Sequence, residues 1–286
     1  MSVYKDRVEQ LFPTVVGSAE MPQKLKESML YSLEAGGKRV RPLLVYAVLD
    51  TYGIAPEKAD QTACAIEFIH TYSLIHDDLP AMDDDDVRRG RATNHRVYGD
   101  ACAILAGDAM LTQSFQLIAK DELLSADKKV QIIAAVTEAS GAPGMVGGQL
   151  DDMEAEGREV DVQELEYIHA RKTGALLSVA LQAGAVIAGA PEAEQRALEA
   201  FGKHIGLSFQ IKDDLLDVEG DESEIGKPVG SDETNDKNTY VRLLGVEGAR
   251  EKLRYHTNRA FAELEQVSGN TAVLKELAAY ISERTK

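Results

Sequence analysis

An apolar segment of helical length runs directly into the most acidic stretch of the chain. Residues 65–75 are Ala-Ile-Glu-Phe-Ile-His-Thr-Tyr-Ser-Leu-Ile, and residues 77–90 are Asp-Asp-Leu-Pro-Ala-Met-Asp-Asp-Asp-Asp-Val-Arg-Arg-Gly. The aspartates of this run repel one another unless cations neutralise them, and all-oxygen ligand sets favour hard ions such as Mg²⁺ or Ca²⁺. Pro80 and the acidic run would also end a helix. The sequence therefore predicts clustered carboxylates at the end of a buried helix.

A second acidic motif lies far downstream, again within an apolar stretch. Residues 209–217 are Phe-Gln-Ile-Lys-Asp-Asp-Leu-Leu-Asp. At about 100° per residue, Asp213 and Asp217 lie about 40° apart on one helix face, and Gln210 falls on that face too. A single acidic pair on a helix is usually only solvated. Two such motifs with basic residues nearby predict a shared metal cage.

Composition excludes several classes of partner. The chain has 286 residues with a net charge of −17, which argues against nucleic acid or an anionic membrane as the main partner.

Cys64 and Cys102 lack metal-ligand spacing and lie in apolar contexts, which predicts buried free thiols in the cytoplasm. The N-terminus lacks the apolar core of a signal peptide. Residues 174–190 are uncharged but too short and too polar for a membrane span, so they predict a buried core helix.

Helical periodicity dominates the chain. Apolar residues recur at three- and four-residue spacing in four runs, 24–34, 55–75, 101–119 and 193–218. Glycine and proline fall between the runs, strand-like alternation is not evident, and no stretch is polar enough for a linker. The prediction is a single all-α domain.

Two basic groups are candidate phosphate contacts. Residues 36–42 are Gly-Gly-Lys-Arg-Val-Arg-Pro. The glycines allow a sharp turn, and Lys38, Arg39 and Arg41 form a compact cluster that suits an anion, although a solvated helix terminus is the plainer interpretation. Arg88 and Arg89 either neutralise the neighbouring aspartates or grip phosphate bidentately.

A third cationic group precedes the uncharged segment, and a glycine-rich loop follows the second acidic motif. Residues 171–174, Arg-Lys-Thr-Gly, stand at the predicted start of a helix, where anions are attracted. An ordinary helix start is the alternative.

Asp151 and Asp152 form a further acidic spot for which we expect a supporting or structural role. Lys227 lies in the loop, which is either a lid over a site or plainly exposed.

Three residues lie just before the first motif. His70 precedes Asp77 by seven residues, so the two share a helix face, and His70 is either a core histidine or a diphosphate donor. Ser73 lies roughly on the Asp77 face, whereas Tyr72 lies about 140° away. Tyr72 is either ordinary core or the floor of an apolar cavity beneath the metals.

Taken together, these stretches resemble the trans-prenyl diphosphate synthases, most closely the bacterial farnesyl diphosphate synthases, over nearly the whole chain. The matching stretches occur in the family's order: 36–42, 73–90, 172–173, 210–217, 226–227 and 232–245. The resemblance implies a single polyprenyl synthetase domain over residues 1–286. Its fold would be an all-α bundle around a deep central cavity, usually as a homodimer.

The resemblance also implies residue roles. Three Mg²⁺ ions per active site would be held by Asp77, Asp83 and Asp213, with Asp78, Asp214 and Asp217 supporting them and Lys172 assisting catalysis. The allylic substrate would contact Arg88, Lys172, Thr173, Gln210 and Lys227. The diphosphate of isopentenyl diphosphate would contact Lys38, Arg41, His70 and Arg89.

The implied reaction is condensation of isopentenyl diphosphate with dimethylallyl or geranyl diphosphate through an allylic carbocation. Charge stabilisation at the leaving diphosphate drives it, water must be excluded, and no side-chain base is needed. An aromatic residue at Tyr72, with the Leu-Pro-Ala-Met spacing between Asp78 and Asp83, resembles the pattern of enzymes that stop at farnesyl diphosphate (C15), and Tyr72 and Ser73 are the implied chain-length residues. The alternative is a geranylgeranyl diphosphate synthase. A class I terpene cyclase and a non-catalytic synthase subunit are more remote.

Overall fold

The computed structural model describes residues 2–220 and 237–285. The chain divides into two compact units, one formed by Met1–Tyr46 with Ala55–Ile133 and the other by Ala47–Ile54 with Ala134–Lys286. The expectations of one domain over 1–286 and of a deep central cavity stay predictions.

The first unit is built on a long buried helix that ends at the first acidic motif. Its helices are α1 (Ser2–Gly17), α2 (Gln23–Leu33), α3 (Val40–Thr51), α4 (Asp60–Asp77), α5 (Asn94–Tyr98), α6 (Asp100–Lys120) and α7 (Ala126–Ser140), with α3 and α7 continuing into the second unit. A 3₁₀ turn (Pro56–Ala59) precedes α4. Helix α4 packs on α6, and a Cβ at Gly107 would lie 2.1 Å from His76 Nε2. Glycine therefore permits this close approach.

A short antiparallel hairpin follows the acidic run in the same unit. Strand β1 (Val87–Arg88) pairs with β2 (Arg91–Ala92). Sequence alternation did not indicate it, because each strand has only two residues. The hairpin displays Arg88 and Arg89 immediately after the aspartates.

The second unit carries the second acidic motif. Its helices are α8 (Met145–Ala155), α9 (Val162–His169), α10 (Ala175–Ala188), α11 (Glu192–Glu219), α12 (Tyr240–Leu264) and α13 (Ala272–Glu283). A π-helical turn, Ala170–Gly174, joins α9 to α10 without a break. A Cβ at Gly206 would lie 2.5 Å from Gly174 Cα, so two glycines let α11 approach the π turn closely. Helix α12 is kinked at Gly245, whose φ is +69°.

The all-α prediction is confirmed, and the four predicted helical runs match α2, α4, α6 and α11. Helix α10 is almost wholly buried, as predicted for the uncharged segment. Cys64 is buried and free, but Cys102 is free and only half-buried. Its predicted burial is wrong because it lies in the first turn of α6, outside the face that packs on α4.

One helix of the described chain, α6, is long and apolar enough to cross a membrane by length and composition. This is weak evidence for a span, because α6 contributes Ala106, Met110 and Ile118 to the buried core. Two of its other apolar residues, Ile104 and Leu105, are exposed. The apolar character of α6 therefore belongs partly to the core and partly to a surface.

Candidate active site

The first acidic motif forms a tight turn at the end of α4. Helix α4 ends at Asp77, and the Asp83 amide donates to the Asp77 carbonyl at 2.9 Å. Asp84 holds a left-handed backbone with φ +52°, which is uncommon for a residue other than glycine. Asp77 is half-buried and Asp83 is exposed. The turn thus brings the backbones of two predicted metal ligands together.

Asp78 faces inward and binds the hairpin. It is 3% exposed, and the Arg88 guanidinium donates to its carboxylate at 2.6 Å. Burial raises the pKa of Asp78, while the bond from Arg88 opposes that rise. Asp78 therefore fixes Arg88 beside the acidic run, and its role in supporting the metal ligands stays a prediction.

A glycine turn and three cationic or titratable side chains meet in the first unit. Gly36 and Gly37 have φ of +84° and +128°. The Arg89 guanidinium donates to the Gly36 carbonyl, and a Cβ at Gly37 would lie 2.7 Å from Arg89 Cζ. The pKa of His70 is well below its ordinary value, because His70 is desolvated and lies in the field of Arg41 and Arg89. These residues form one cationic site, and Lys38, also half-buried, follows the glycines directly.

Arg39 does not belong to that site. It is 3% exposed, donates to Glu9 at 3.0 Å and to Glu67 at 2.9 Å, and lies 5.2 Å from the Phe12 ring centroid. Its place in the predicted anion cluster is therefore wrong. The positive φ at this residue, +52°, turns its side chain into the core, where carboxylates from α1 and α4 neutralise it.

The second acidic motif sends its carboxylates in different directions. Asp213 has 41% of its side chain exposed and accepts from Arg284 at 2.6 Å. Asp214 and Asp217 are each 2% exposed. Asp214 accepts the Tyr240 amide at 2.8 Å and Gln210 Nε2 at 3.1 Å. The Asp213–Arg284 pair joins distant parts of the sequence, which explains why the motif alone did not reveal it.

Lys172 and Thr173 lie inside a helix and not at its start. Residues 162–188 are continuously helical through the π turn, so the predicted anion-attracting helix N-terminus at this position is wrong. A π bulge within a helix often marks a functional site, however. Lys172 Nζ donates to Asp152 at 2.6 Å, and Thr173 Oγ1 donates to Gln210 Oε1 at 3.3 Å. The turn thus ties both predicted substrate contacts into the polar network of the second unit.

Asp151 and Asp152 hold the two cations of the π turn. Arg171 pairs with Asp151, and Lys172 pairs with Asp152. A Cβ at Gly148 would lie 2.4 Å from the Lys172 amide nitrogen, so α8 approaches the turn closely. These contacts agree with the supporting role expected for the third acidic spot.

Tyr72 lies in the core directly before the first motif. It is 6% exposed, and its ring packs edge-on against His76 with centroids 5.7 Å apart. Burial, with a smaller effect from Asp77, raises the pKa of the Tyr72 hydroxyl to about 12. Ser73 Oγ donates to the His70 carbonyl at 2.9 Å. Tyr72 is therefore a neutral aromatic group beneath the acidic turn.

Within residues 2–220 and 237–285, no three His, Cys, Asp or Glu side chains form a group that could hold a metal ion. Lys227, the predicted lid residue, lies outside the described residues.

Comparison with known proteins decides the family. The family model described as polyprenyl synthetase matches residues 22–278. The chain belongs to the polyprenyl synthetase family. As a member of it, the chain is a prenyltransferase.

Individual relatives resemble this polyprenyl synthetase over almost their whole length. It is 51% identical to the farnesyl diphosphate synthase of Bacillus subtilis, over 98% of this chain and 95% of that protein. It is 49% identical to the farnesyl diphosphate synthase of Geobacillus stearothermophilus with the same coverage. Among solved structures, a Helicobacter pylori geranyltransferase complexed with magnesium and isoprenyl diphosphate superposes with a TM-score of 0.83 at 33% identity, over 98% of this chain and 95% of that one.

Proposed function

We propose that this prenyltransferase condenses isopentenyl diphosphate with dimethylallyl and then geranyl diphosphate, and that its main product is farnesyl diphosphate. The observation that carries the proposal is the arrangement at the end of α4. An all-aspartate turn, a cationic site formed by Arg41, His70 and Arg89, and a buried aromatic ring occur within one unit. Such a set suits a substrate with a diphosphate head and an apolar tail.

The donor set suits Mg²⁺. The proposed ligands Asp77, Asp83 and Asp213 offer only carboxylate oxygens, and Mg²⁺ is usually bound through one or two carboxylates, water and substrate phosphates. The absence of a preformed three-ligand group in the described chain fits an ion that arrives with its phosphates. Asp213 already pairs with Arg284, so this carboxylate would be shared with or released from the arginine. Three ions per site remain part of the proposal.

The cations of the chain would position two diphosphates. Isopentenyl diphosphate would be held by the glycine-turn site, where Arg89 is fixed to the Gly36 carbonyl and His70 stays neutral beside it. The allylic substrate would contact Arg88, Lys172, Thr173, Gln210 and Lys227. A neutral His70 can donate one hydrogen bond to an anion without adding charge.

The reaction depends more on stabilising the charge of the leaving diphosphate and on excluding water from the allylic cation than on proton transfer by a side chain. Bound Mg²⁺ would supply positive charge to the leaving diphosphate. Arg88 and Lys172 would hold that diphosphate as the allylic C1–O bond breaks. The double bond of isopentenyl diphosphate then attacks C1, and the proton lost from its C2 passes to the departing diphosphate. The buried surface around Tyr72 would keep water away from the cation.

Tyr72 would set the product length. A bulky, buried ring beneath the acidic turn leaves less depth for the growing tail than a small residue would. This supports C15 over C20, the length that a geranylgeranyl diphosphate synthase would make.

A second copy of the chain would cover the exposed face of α6. Ile104 and Leu105 are 43% and 59% exposed, and Ile104, Leu111 and Phe115 follow one helical stripe. A homodimer through this face explains an apolar surface on a helix of the unit's core. Sedimentation of Ile104→Lys should then report monomers. The two free cysteines support a reducing, cytoplasmic compartment.

The test compares charge neutralisation at neighbouring positions in steady-state condensation assays with Mg²⁺. Asp77→Asn and Asp83→Asn should each lower turnover by about a hundredfold or more, because each removes a charge at the leaving group. The matched control is Asp84→Asn, which removes the same charge at a left-handed position that asparagine tolerates. Its turnover should stay within a few fold of wild type. Equal losses in all three variants would contradict the assigned ligands.

A further inference from the structure

The hairpin that displays Arg88 and Arg89 is anchored by a buried asparagine. Asn94 is 2% exposed and lies just beyond β2. Its side-chain amide forms its hydrogen bonds with residues of α2. Its Nδ2 donates to the Ser28 carbonyl at 2.9 Å and to Ser32 Oγ at 2.8 Å, and its Oδ1 accepts from Ser28 Oγ at 2.8 Å. Every hydrogen-bonding group of the amide is thus satisfied by one helix.

The neighbouring residue closes the loop on itself. Thr93 Oγ1 donates to the Asp85 carbonyl at 2.7 Å, and the Thr93 amide donates to the Asp86 carbonyl at 3.0 Å. Tyr31 of α2 adds a bond from its hydroxyl to the Ala92 carbonyl at 2.7 Å and stacks under Arg91, whose Cζ lies 4.2 Å from the ring centroid. The loop is therefore a closed unit whose docking onto α2 depends on few contacts.

Helix α2 also determines where the Gly36 carbonyl lies, because that glycine follows the helix by three residues. Arg89 reaches this carbonyl from the hairpin. Arg89 itself has φ +53°, a conformation that persists only where surrounding contacts enforce it. A shift of the hairpin along α2 would therefore move Arg89 away from the glycine turn.

Arg88 is held in a different way. Its guanidinium binds Asp78, at the end of α4, so its position depends on α4 more than on α2. The two adjacent arginines thus have separate anchors.

We infer that Asn94 is a positioning residue that aligns Arg89 for the diphosphate of isopentenyl diphosphate while leaving the allylic contact of Arg88 nearly unchanged. The inference rests on the proposed function and adds a specific division of labour within the hairpin. The amide acts through Arg89 and does not itself touch substrate.

The experiment measures KM for each substrate separately in Asn94→Ala. Loss of the three hydrogen bonds of this buried amide is expected to raise KM for isopentenyl diphosphate by about tenfold. KM for geranyl diphosphate and kcat should change by less than about threefold. The matched control is Gln113→Ala, which removes another buried side-chain amide, one that lies on α6 and donates to the Val15 carbonyl of α1 at 3.1 Å. It should leave both KM values unchanged.

A second, milder variant tests the same docking in case Asn94→Ala does not fold. Tyr31→Phe removes only the bond to the Ala92 carbonyl and should raise the same KM by a smaller factor. Hydrogen exchange of the β1–β2 amides should quicken in Asn94→Ala but not in Gln113→Ala, whatever reaction the enzyme catalyses. Equal increases in both KM values, or a hairpin whose exchange is unchanged, would overturn the inference. Inactive wild-type protein with a loosened hairpin in Asn94→Ala would overturn the proposed function instead.

Discussion

Asp214 offers a sharp test of how the second acidic motif is built. Its carboxylate accepts the backbone N–H of Tyr240, the first residue of α12, and the side-chain amide of Gln210. Tyr240 is fully buried, so its N–H cannot turn to water if the carboxylate is lost. The same aspartate thereby joins α11 to the start of α12.

Replacing Asp214 with alanine leaves the backbone N–H of Tyr240 without its acceptor. It also removes a hydrogen bond to a charged carboxylate. An unsatisfied buried donor costs about 1–3 kcal/mol and a hydrogen bond to a charged group contributes about 1.5–3 kcal/mol. We expect Asp214→Ala to lower the free energy of unfolding by about 3–5 kcal/mol.

Asp214→Asn should be far milder because the network can rearrange. The new amide keeps an oxygen for the Tyr240 N–H. If the Gln210 amide rotates by about 180°, its oxygen accepts from the new amide and its nitrogen donates to Thr173 Oγ1. Only the charge is lost, so the expected cost is about 1–2 kcal/mol.

Urea unfolding followed by circular dichroism would measure both variants, since the chain has no tryptophan. Hydrogen exchange at the Tyr240 amide provides a local readout, which should quicken in the alanine variant and change little in the asparagine variant. Equal destabilisation by the two substitutions would refute the hydrogen-bond argument and assign the effect to charge alone.

Three further predictions concern the core. Tyr72→Ala should lengthen the main product beyond C15 in chromatographic product analysis, and an unchanged product would remove Tyr72 as the cavity floor. Glu67→Gln should cost about 3 kcal/mol in urea unfolding, because it leaves the buried Arg39 charge under-compensated, whereas Glu9→Gln should cost less than about 1 kcal/mol. Burial lowers the pKa of His169 to about 4 in the folded chain. Between about pH 4 and pH 6.5, the unfolded chain therefore binds a proton at this residue and the folded chain does not. Stability should therefore fall as pH drops from about 6.5 to about 4, and His169→Gln should flatten that fall in unfolding curves measured across this range.

The elements that could be predicted from sequence were those specified by local pattern. The end of α4 follows from an apolar run that meets an acidic stretch with Pro80. Helix α11 follows from apolar residues at three- and four-residue spacing between positions 193 and 218. Both depend on residues close in sequence, so neighbouring residue types were sufficient.

The incorrect predictions depended on contacts between distant segments. Arg39 resembled its basic neighbours in the sequence, but in the structure it pairs with Glu9 and Glu67, which lie on two other helices. Residues 171–174 resembled the start of a helix, but in the structure the helix continues through a π turn there, and Gly174 faces Gly206. The hairpin was not predicted because each of its strands has only two residues, and its docking depends on α2, which lies more than fifty residues earlier.

The central claim is that this protein elongates an allylic diphosphate to C15 in a Mg²⁺-dependent reaction. The most direct measurement gives purified protein dimethylallyl and isopentenyl diphosphates, with and without Mg²⁺, and resolves the products by chain length. We predict farnesyl diphosphate as the main product, and only when Mg²⁺ is present. A folded protein that forms no condensation product under these conditions, or one whose main product is C20, would contradict the claim.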